Sequence, residues 1–157
     1  MKGSYAIILR LNRHSKLEIG KNQFNLNPGV YIYAGSAFGP GGIVARLRRH
    51  LKTFTTGTTK KHWHIDSFLR LSTAFISVYA SSPQKMECGI VRSLKEMGFK
   101  TVRGFGNTDC RSGCGGHLVF MGDLDLQSAT QRVIAAFEKI GLEATLETRA
   151  FKDYNYK

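Results

Sequence analysis

The sequence predicts an α/β protein of the mixed α+β kind: a small central antiparallel, twisted β-sheet flanked by helices, with a C-terminal helix–strand extension. Several short stretches alternate apolar and polar residues, which is typical of strands. Other stretches repeat apolar residues every three or four positions, as amphipathic helices do. The 157 residues match the size of one domain and suffice for a hydrophobic core.

The first part of the chain predicts strands. Residues 4–11 form a candidate strand, with Tyr5 and every second residue after it on one face. A short strand at residues 17–19 follows, and the next apolar segment leads into a strand over residues 29–34, where apolar residues alternate with Tyr33 and its neighbours. We expect these segments to form an antiparallel meander.

A glycine-rich turn and a basic helix follow that strand. Residues 38–42 cannot continue a strand or lie inside a helix, so they predict a turn. From Ile43 onwards apolar residues recur every four positions, which predicts an amphipathic helix. Arg46 and His50 lie one helical turn apart at the edge of its apolar stripe. The strand, turn and helix together predict a wall of a phosphate-binding site.

The remaining elements alternate between helix and strand. A helix is predicted to begin at residue 62, and another to run from Ser82 to Met97, with Ser82 as its N-cap and Gly98 as its C-terminal stop. The other predicted elements are a strand over residues 73–80, a strand over 117–121, a helix over 127–140 and a strand over 142–149.

We divide the chain into a domain of residues 1–122 and an extension, residues 123–157, that packs on the same domain. No stretch approaches about 18 consecutive apolar residues, so we expect no membrane span. The N-terminus lacks the apolar segment of a secretory signal, which favours a cytoplasmic location.

Several motifs in the first half resemble one known family. Gly3-Ser-Tyr5 and Tyr33-Ala-Gly35 are similar to the two strand motifs of the GIY-YIG endonuclease superfamily, with Ser4 and Ala34 in place of the two isoleucines. Arg46 and His50 match the arginine and histidine of the following helix. The turn from Gly35 to Gly42 and the later His-Trp-His-Ile-Asp, residues 62–66, resemble the Uri-type branch of small prokaryotic proteins. The resemblance covers roughly residues 3–122.

The resemblance implies a metal-dependent DNA endonuclease that hydrolyses phosphodiester bonds with Mg²⁺ or Mn²⁺. It assigns the metal to Glu87, which lies near the start of a predicted helix. Arg46 would stabilise the charge that develops on the phosphate, because a planar guanidinium suits phosphate oxygens. We expect selectivity for DNA structure rather than sequence, because no base-reading module is recognisable in the chain.

The resemblance also assigns aromatic residues to the reaction. Tyr5 and Tyr33 would orient or deprotonate the attacking water, and a free tyrosine, with a pKa of about 10, needs a cationic neighbour such as Arg46 to act as a base. His50 and one of two further histidines would touch the phosphate or relay a proton. Those two lie at i and i+2, so only one faces the site; we favour His64 over His62.

The distribution of charge predicts a polyanionic partner. Residues 1–86 carry 13 Lys and Arg but only two acids, a net charge of +11, whereas residues 87–157 carry +1. A one-sided cationic half is the electrostatic footprint of a polyanion partner, which the resemblance implies is DNA; the alternative is a generally basic, well-dissolved protein. The cations expected to contact phosphates are Arg48, Arg49, Lys52, Lys60, Lys61 and Arg70.

The three cysteines do not predict a purely disulfide framework, since their number is odd. Cys110, Cys114 and His117 have a spacing compatible with zinc, and Cys88 completes a Cys₃His set. The alternative is that two small cysteines occupy a glycine-rich turn while Cys88 lies in the core.

Two other functions remain open at this stage. One is a non-catalytic, basic nucleic-acid-binding module, and the other is a zinc-stabilised structural or adaptor domain. The enzyme is favoured because a binder needs cations alone, whereas this chain combines tyrosines, arginine, histidine and glutamate.

Overall fold

The structure is a computed structural model that describes residues 1–57, 64–105 and 113–152. Within these residues the strands are β1 (Gly3–Leu11), β2 (Ser15–Ile19), β3 (Asn22–Leu26), β4 (Gly29–Ala37), β5 (Ala74–Ser81), β6 (Lys100–Thr101), β7 (Leu118–Gly122) and β8 (Thr145–Phe151). The helices are α1 (Gly42–Thr56), α2 (Ile65–Leu71), α3 (Glu87–Glu96) and α4 (Leu126–Lys139). The predicted α+β class and central antiparallel sheet are confirmed.

Six strands form the central sheet in the order β6-β7-β4-β1-β5-β8, and every neighbouring pair is antiparallel. β1 lies in the middle and pairs with β4 on one side and β5 on the other. Nearly all of its side chains are buried, as expected for a strand covered on both faces.

The predicted meander is wrong. β2 and β3 pair with each other in a separate two-stranded sheet, and β1 pairs directly with β4. The hairpin satisfies its own hydrogen bonds across a tight turn between Ile19 and Asn22, so it leaves the central sheet and covers one face of it. Leu17, Phe24 and Leu26 are the buried side chains that attach it there.

Helices cover both faces of the sheet. We call the side that carries α1 and α2 the α1 face, and the side that carries α3 and α4 the α3 face. Alternate residues of β1 supply the two cores: Tyr5 and Ile7 lie in the α1 face, whereas Ala6 and Ile8 lie in the α3 face. A residue's position along a strand therefore decides which group of helices it meets.

Helix α3 begins at Glu87, not at Ser82, so the predicted N-cap is wrong. The Ser82 hydroxyl donates to the Gln84 carbonyl oxygen at 2.7 Å and forms a turn instead. The helix start is held from a distance, because the Met86 amide donates to Ser4 Oγ at 2.9 Å. Gly98 ends the helix as predicted, with a left-handed φ of 101°.

Residues after 122 share the core and the sheet of the preceding part. Helix α4 is capped by Asp125, whose carboxylate accepts from the Ser128 amide at 2.8 Å, a bond that lowers the pKa of Asp125. Val133 and Phe137 on α4 are fully buried in the α3 face, and β8 extends the sheet beside β5. Across the described residues, no helix combines the length and apolar character that crossing a membrane requires.

Candidate active site

The candidate site lies where β1 and β4 approach the starts of α1 and α3. Five residues predicted for the reaction gather there: Tyr5, Tyr33, Arg46, His50 and Glu87. A hydrogen bond of 2.9 Å joins Tyr5 Oη to His50 Nε2, and the Tyr33 ring lies edge-on to the His50 ring with centroids 6.2 Å apart. The turn between β4 and α1 brings Tyr33 to His50, and the pairing of β1 with β4 brings Tyr5 there too, as the resemblance implies.

The Tyr5–His50 pair is fully buried, with each residue about 1% exposed. The strand register places Tyr5 directly opposite Gly35. A Cβ atom at position 35 would lie 2.5 Å from Tyr5 Oη, so only glycine leaves room for the phenol ring. The glycine of the Tyr-Ala-Gly motif thus shapes the pocket in which the tyrosine meets the histidine.

Ser36 connects the two faces of the sheet at this site. Arg46 on α1 donates through Nη1 to the Ser36 carbonyl oxygen at 3.2 Å. On the opposite face the Ser36 hydroxyl donates to the Glu87 carboxylate. Ser4 Oγ lies 2.8 Å from Ser36 Oγ and completes the network. A cation and a carboxylate therefore converge on a single residue.

Sequence reasoning missed Ser4 and Ser36 as site residues. The signal was present, because a Gly-Ser pair stands at the start of β1 and another near the end of β4. Antiparallel pairing brings Ser4 opposite Ser36, but this register was not deduced from the sequence.

Burial sets the protonation of the aromatic groups. It raises the pKa of Tyr5 to about 12, and the opposing effect of Arg46 is smaller. Burial likewise raises the pKa of Tyr33. The expectation that Arg46 would lower a tyrosine pKa enough to create a base is therefore not met in the free protein. Both phenols are neutral hydroxyl groups at neutral pH.

His50 is also neutral. Burial lowers its pKa to about 3; the Asp66 carboxylate acts in the opposite direction, and the Arg46 and Arg49 guanidiniums lower it further. Its imidazole thus pairs with Tyr5 as one uncharged group with another. An uncharged pair suits a buried position, since an unpaired charge there would be costly.

An ion pair with a buried carboxylate lies near the Tyr5–His50 pair. Asp66 is fully buried and accepts two hydrogen bonds from Arg49, Nη1 to Oδ1 at 3.0 Å and Nη2 to Oδ2 at 3.2 Å. Such a bidentate pair fixes the guanidinium plane. Arg49 was predicted to contact DNA, but the structure holds its guanidinium on Asp66.

The other predicted DNA-binding cations occupy different settings. Arg48 and Lys52 are exposed on α1. Arg70 is half-buried and donates through Nε to the Gly57 carbonyl oxygen at 2.9 Å. Lys60 and Lys61 lie outside the described residues. Among these predicted cations, those that are exposed in the described residues are thus Arg48 and Lys52 of α1.

His64 stands at the start of α2, where its ring lies edge-on to Phe105 with centroids 6.3 Å apart. The rings of Tyr5 and Tyr33 contact His50 instead. The role of His64 in the reaction therefore stays a prediction. His62, its alternative, lies outside the described residues.

Glu87 meets the requirements of a magnesium ligand. It is partly exposed in the first turn of α3, and one of its oxygens accepts from Ser36. Magnesium is usually held by one or two carboxylates together with substrate phosphates and water, so one glutamate suffices. Asp66 is fully buried against Arg49 and does not face solvent.

A second cluster lies beside Glu87 on the α3 face. The ligand atoms of Cys88, Cys114 and His117 all lie within 4.8 Å of one another. The two Sγ atoms are 2.7 Å apart, and Cys88 Sγ is 3.5 Å from His117 Nε2. Three of the four predicted zinc ligands thus come together, while Cys110 lies outside the described residues.

The comparisons with known proteins identify a family. Residues 4–142 match the domain of unknown function DUF123, and the chain belongs to this family. No curated protein and no solved structure matches the chain. The family is defined without an activity, so the geometry of the site carries the functional argument.

Proposed function

We propose that this protein is a metal-dependent endonuclease that hydrolyses phosphodiester bonds in DNA. The observation that supports this most directly is the convergence of Arg46 and Glu87 on Ser36. A cation for phosphate charge and a carboxylate for a divalent ion are both needed for phosphodiester hydrolysis. The neutral Tyr5–His50 pair lies beside them.

Each residue has a distinct role in this proposal. The Arg46 guanidinium binds the scissile phosphate and stabilises the negative charge that grows on its oxygens. Glu87 would hold Mg²⁺ or Mn²⁺, and such an ion would supply Lewis-acid polarisation of the phosphate and of the attacking water. The Ser36 hydroxyl orients the Glu87 carboxylate, as outer hydrogen-bond partners orient metal ligands.

The tyrosines act as neutral hydroxyl groups rather than as preformed bases. Tyr33 is partly exposed, so its hydroxyl orients the attacking water. Tyr5 is buried and hydrogen-bonded to His50, so this uncharged pair positions the Tyr33 ring rather than accepting a proton. The proton of the attacking water would pass to solvent.

The exposed cations favour a DNA substrate that is held by its phosphates. Arg48 and Lys52 are exposed on α1 and would contact DNA phosphates, which position a duplex without identifying its bases. Selectivity should then depend on whether a phosphate can reach Arg46, which favours branched or distorted DNA. Binding should weaken steeply with salt, by about 0.9 in log K per log salt for each phosphate neutralised.

We place this reaction in the cytoplasm, since an odd number of cysteines argues against a disulfide framework of the kind that persists in oxidising compartments. Recovery of the protein from the cytoplasmic fraction of its cells would test this point.

The test is cleavage of plasmid, duplex and branched oligonucleotides with Mg²⁺ or Mn²⁺. Glu87→Gln should abolish cleavage but leave DNA binding intact, because it removes a metal ligand without adding charge. The matched control is Glu96→Gln, which changes an exposed glutamate at the other end of the same helix. Wild-type cleavage by Glu87→Gln would refute the site. Binding without cleavage by the wild-type protein would instead favour the non-catalytic module.

A further inference from the structure

Three consecutive residues at the start of α3 are each anchored to a different part of the molecule. The Met86 amide donates to Ser4 Oγ, the Glu87 carboxylate accepts from Ser36, and Cys88 Sγ contacts Cys114 and His117. The first two anchors belong to the proposed nuclease site. The third, at Cys88, has no role in that mechanism.

The backbone of each partner of Cys88 is hydrogen-bonded to a neighbouring element. Cys114 is 1% exposed, and its carbonyl oxygen accepts from Lys95 Nζ at 3.1 Å. The His117 carbonyl oxygen accepts from the Ala34 amide of β4 at 2.9 Å, two residues from Ser36 in the same strand. The cluster therefore joins α3 to the strand that carries the nuclease site.

The distances in the cluster allow a tetrahedral ion. Bonds of about 2.3 Å to sulfur and about 2.05 Å to nitrogen place the two ligand atoms about 3.6 Å apart. The observed separation of Cys88 Sγ and His117 Nε2 is 3.5 Å. Two sulfur ligands would stand about 3.8 Å apart on the same ion, so the observed 2.7 Å must open by about 1 Å. Rotation of one cysteine side chain provides that movement.

We propose that Cys88, Cys114 and His117 bind a zinc ion that positions Glu87. Two thiolates and an imidazole select zinc and disfavour magnesium, which prefers oxygen ligands. The three side chains supply three of the four positions of a tetrahedral ion. The proposal rests on the proposed nuclease only for the role of Glu87; zinc binding itself stands without it.

The proposed zinc site and the proposed magnesium or manganese site are coupled because their ligands Cys88 and Glu87 are adjacent in the sequence. Cys88 is the neighbour of Glu87 in the first turn of α3, so an ion on its sulfur fixes the backbone that carries the carboxylate. Without the ion, this turn is held by the hydrogen bonds to Ser4 and Ser36. Cys88 is thus a positioning residue for the second metal, comparable to the outer partners of other metal sites.

The first experiment measures the ion. The purified protein should contain about one equivalent of zinc, as expected for one site. After exchange of zinc for cobalt, the absorption spectrum should show thiolate-to-cobalt charge-transfer bands. Cys88→Ser and His117→Gln should each lower the zinc content, whereas Glu87→Gln, a change at the neighbouring residue, should retain it. Protein without zinc and without these cobalt bands, or a Cys88–Cys114 disulfide in its place, would overturn the proposal.

The second experiment measures coupling without relying on cleavage. Mn²⁺ affinity at Glu87 is followed by electron paramagnetic resonance in zinc-loaded protein, in chelator-treated protein and in Cys88→Ser. Loss of zinc should weaken Mn²⁺ binding by about 10-fold to 100-fold, the usual effect of losing an outer partner. Chelator treatment of the wild-type protein gives the same comparison if Cys88→Ser does not fold.

The outcomes separate the two proposals. Equal Mn²⁺ affinity with and without zinc would overturn the positioning role. Zinc binding by a protein in which Glu87→Gln does not change Mn²⁺ affinity would refute the nuclease metal site and leave the zinc site standing.

Discussion

The polar groups on the two faces of the central sheet differ in burial and in charge. On the α1 face, Tyr5 and His50 are fully buried and uncharged, and the charge of Asp66 is paired with Arg49. On the α3 face, Glu87 and Cys88 are partly exposed in the first turn of a helix. Burial thus produces neutral hydrogen-bonding groups on one side, whereas partial exposure leaves ligands open to ions on the other.

The separation has a chemical benefit. The Glu87 carboxylate adds to the rise in the pKa of both tyrosines, so its placement across the sheet limits that effect. Burial remains the largest cause of the rise. Ser36 links the two faces, since its carbonyl oxygen accepts from Arg46 of α1 and its hydroxyl donates to Glu87 of α3.

The largest effect on stability should come from the buried ion pair of the α1 face. Asp66→Ala leaves the Arg49 guanidinium without its carboxylate and should lower the free energy of unfolding by about 3 to 5 kcal/mol. The matched change on the other side is Glu96→Ala, which removes an exposed pair with Lys139 and should cost less than about 1 kcal/mol. Denaturant unfolding of both variants measures the difference. Equal losses would show that burial does not distinguish the two pairs.

The next effect concerns turnover. Arg46→Ala should reduce the rate of cleavage by about 10²-fold to 10³-fold, the usual cost of losing a group that stabilises transition-state charge. Arg48→Ala, on the same helix but exposed, should weaken DNA binding and leave the maximal rate nearly unchanged. Single-turnover kinetics at saturating protein separates rate from binding. A larger rate loss from Arg48→Ala would assign the catalytic cation to the outer side of α1.

A smaller effect should appear in the dependence of stability on pH. Burial lowers the pKa of His50 to about 3, so below about pH 6.5 the unfolded chain binds a proton that the folded protein does not. His50 therefore contributes stability above that pH, and this contribution is lost as the pH falls. Between about pH 6.5 and about pH 4.5 the loss from this group should be about 2 to 3 kcal/mol.

Two variants isolate this contribution of His50. His50→Gln should flatten the acid limb of the stability curve, whereas His14→Gln, which changes an exposed histidine, should not. Urea unfolding at a series of pH values gives both curves. An unchanged acid limb in His50→Gln would mean that this histidine is charged in the folded protein.

The smallest expected effect comes from two buried hydroxyls near α1 and α2. Ser77 Oγ has no hydrogen-bond partner among the described residues and lies in a cavity of about 210 Å³ beneath α1. Ser77→Ala should therefore raise the free energy of unfolding by about 1 kcal/mol. The Ser72 hydroxyl donates to the Phe68 carbonyl oxygen at 2.9 Å, so Ser72→Ala should lower it by about the same amount. Thermal unfolding is the measurement, and shifts of the same sign would contradict the argument.

Local patterns in the sequence predicted most elements of the fold. The apolar alternation of β1 and β4, and the four-residue repeat of α1, are short-range signals that burial enforces. The errors arose where distant residues decide. The start of α3 depends on Ser4, which lies 82 positions earlier, and the position of the β2–β3 hairpin depends on which face it covers.

In the candidate site, too, short-range features were predicted from the sequence and features set by distant residues were not. The spacing of Arg46 and His50 on one helix, together with the resemblance, predicted which residues would gather. The protonation of Tyr5 was not predictable in this way, because its pKa depends on complete burial between β4 and α1. The contacts of Ser36 with both faces could be predicted only from the register of β1 and β4, and the sequence alone does not give that register.

The central position of β1 has a consequence for how the chain folds during its synthesis. β1 is made before β5, and its register with β5 joins Gly3 to Ser81, so that partner emerges much later. The long separation makes the pairing slow to form, as non-local strand contacts generally are. In the meantime the apolar run Tyr5–Leu9 is uncovered on a nascent chain. The strand that carries Tyr5 is therefore the segment for which aggregation during translation competes most directly with folding.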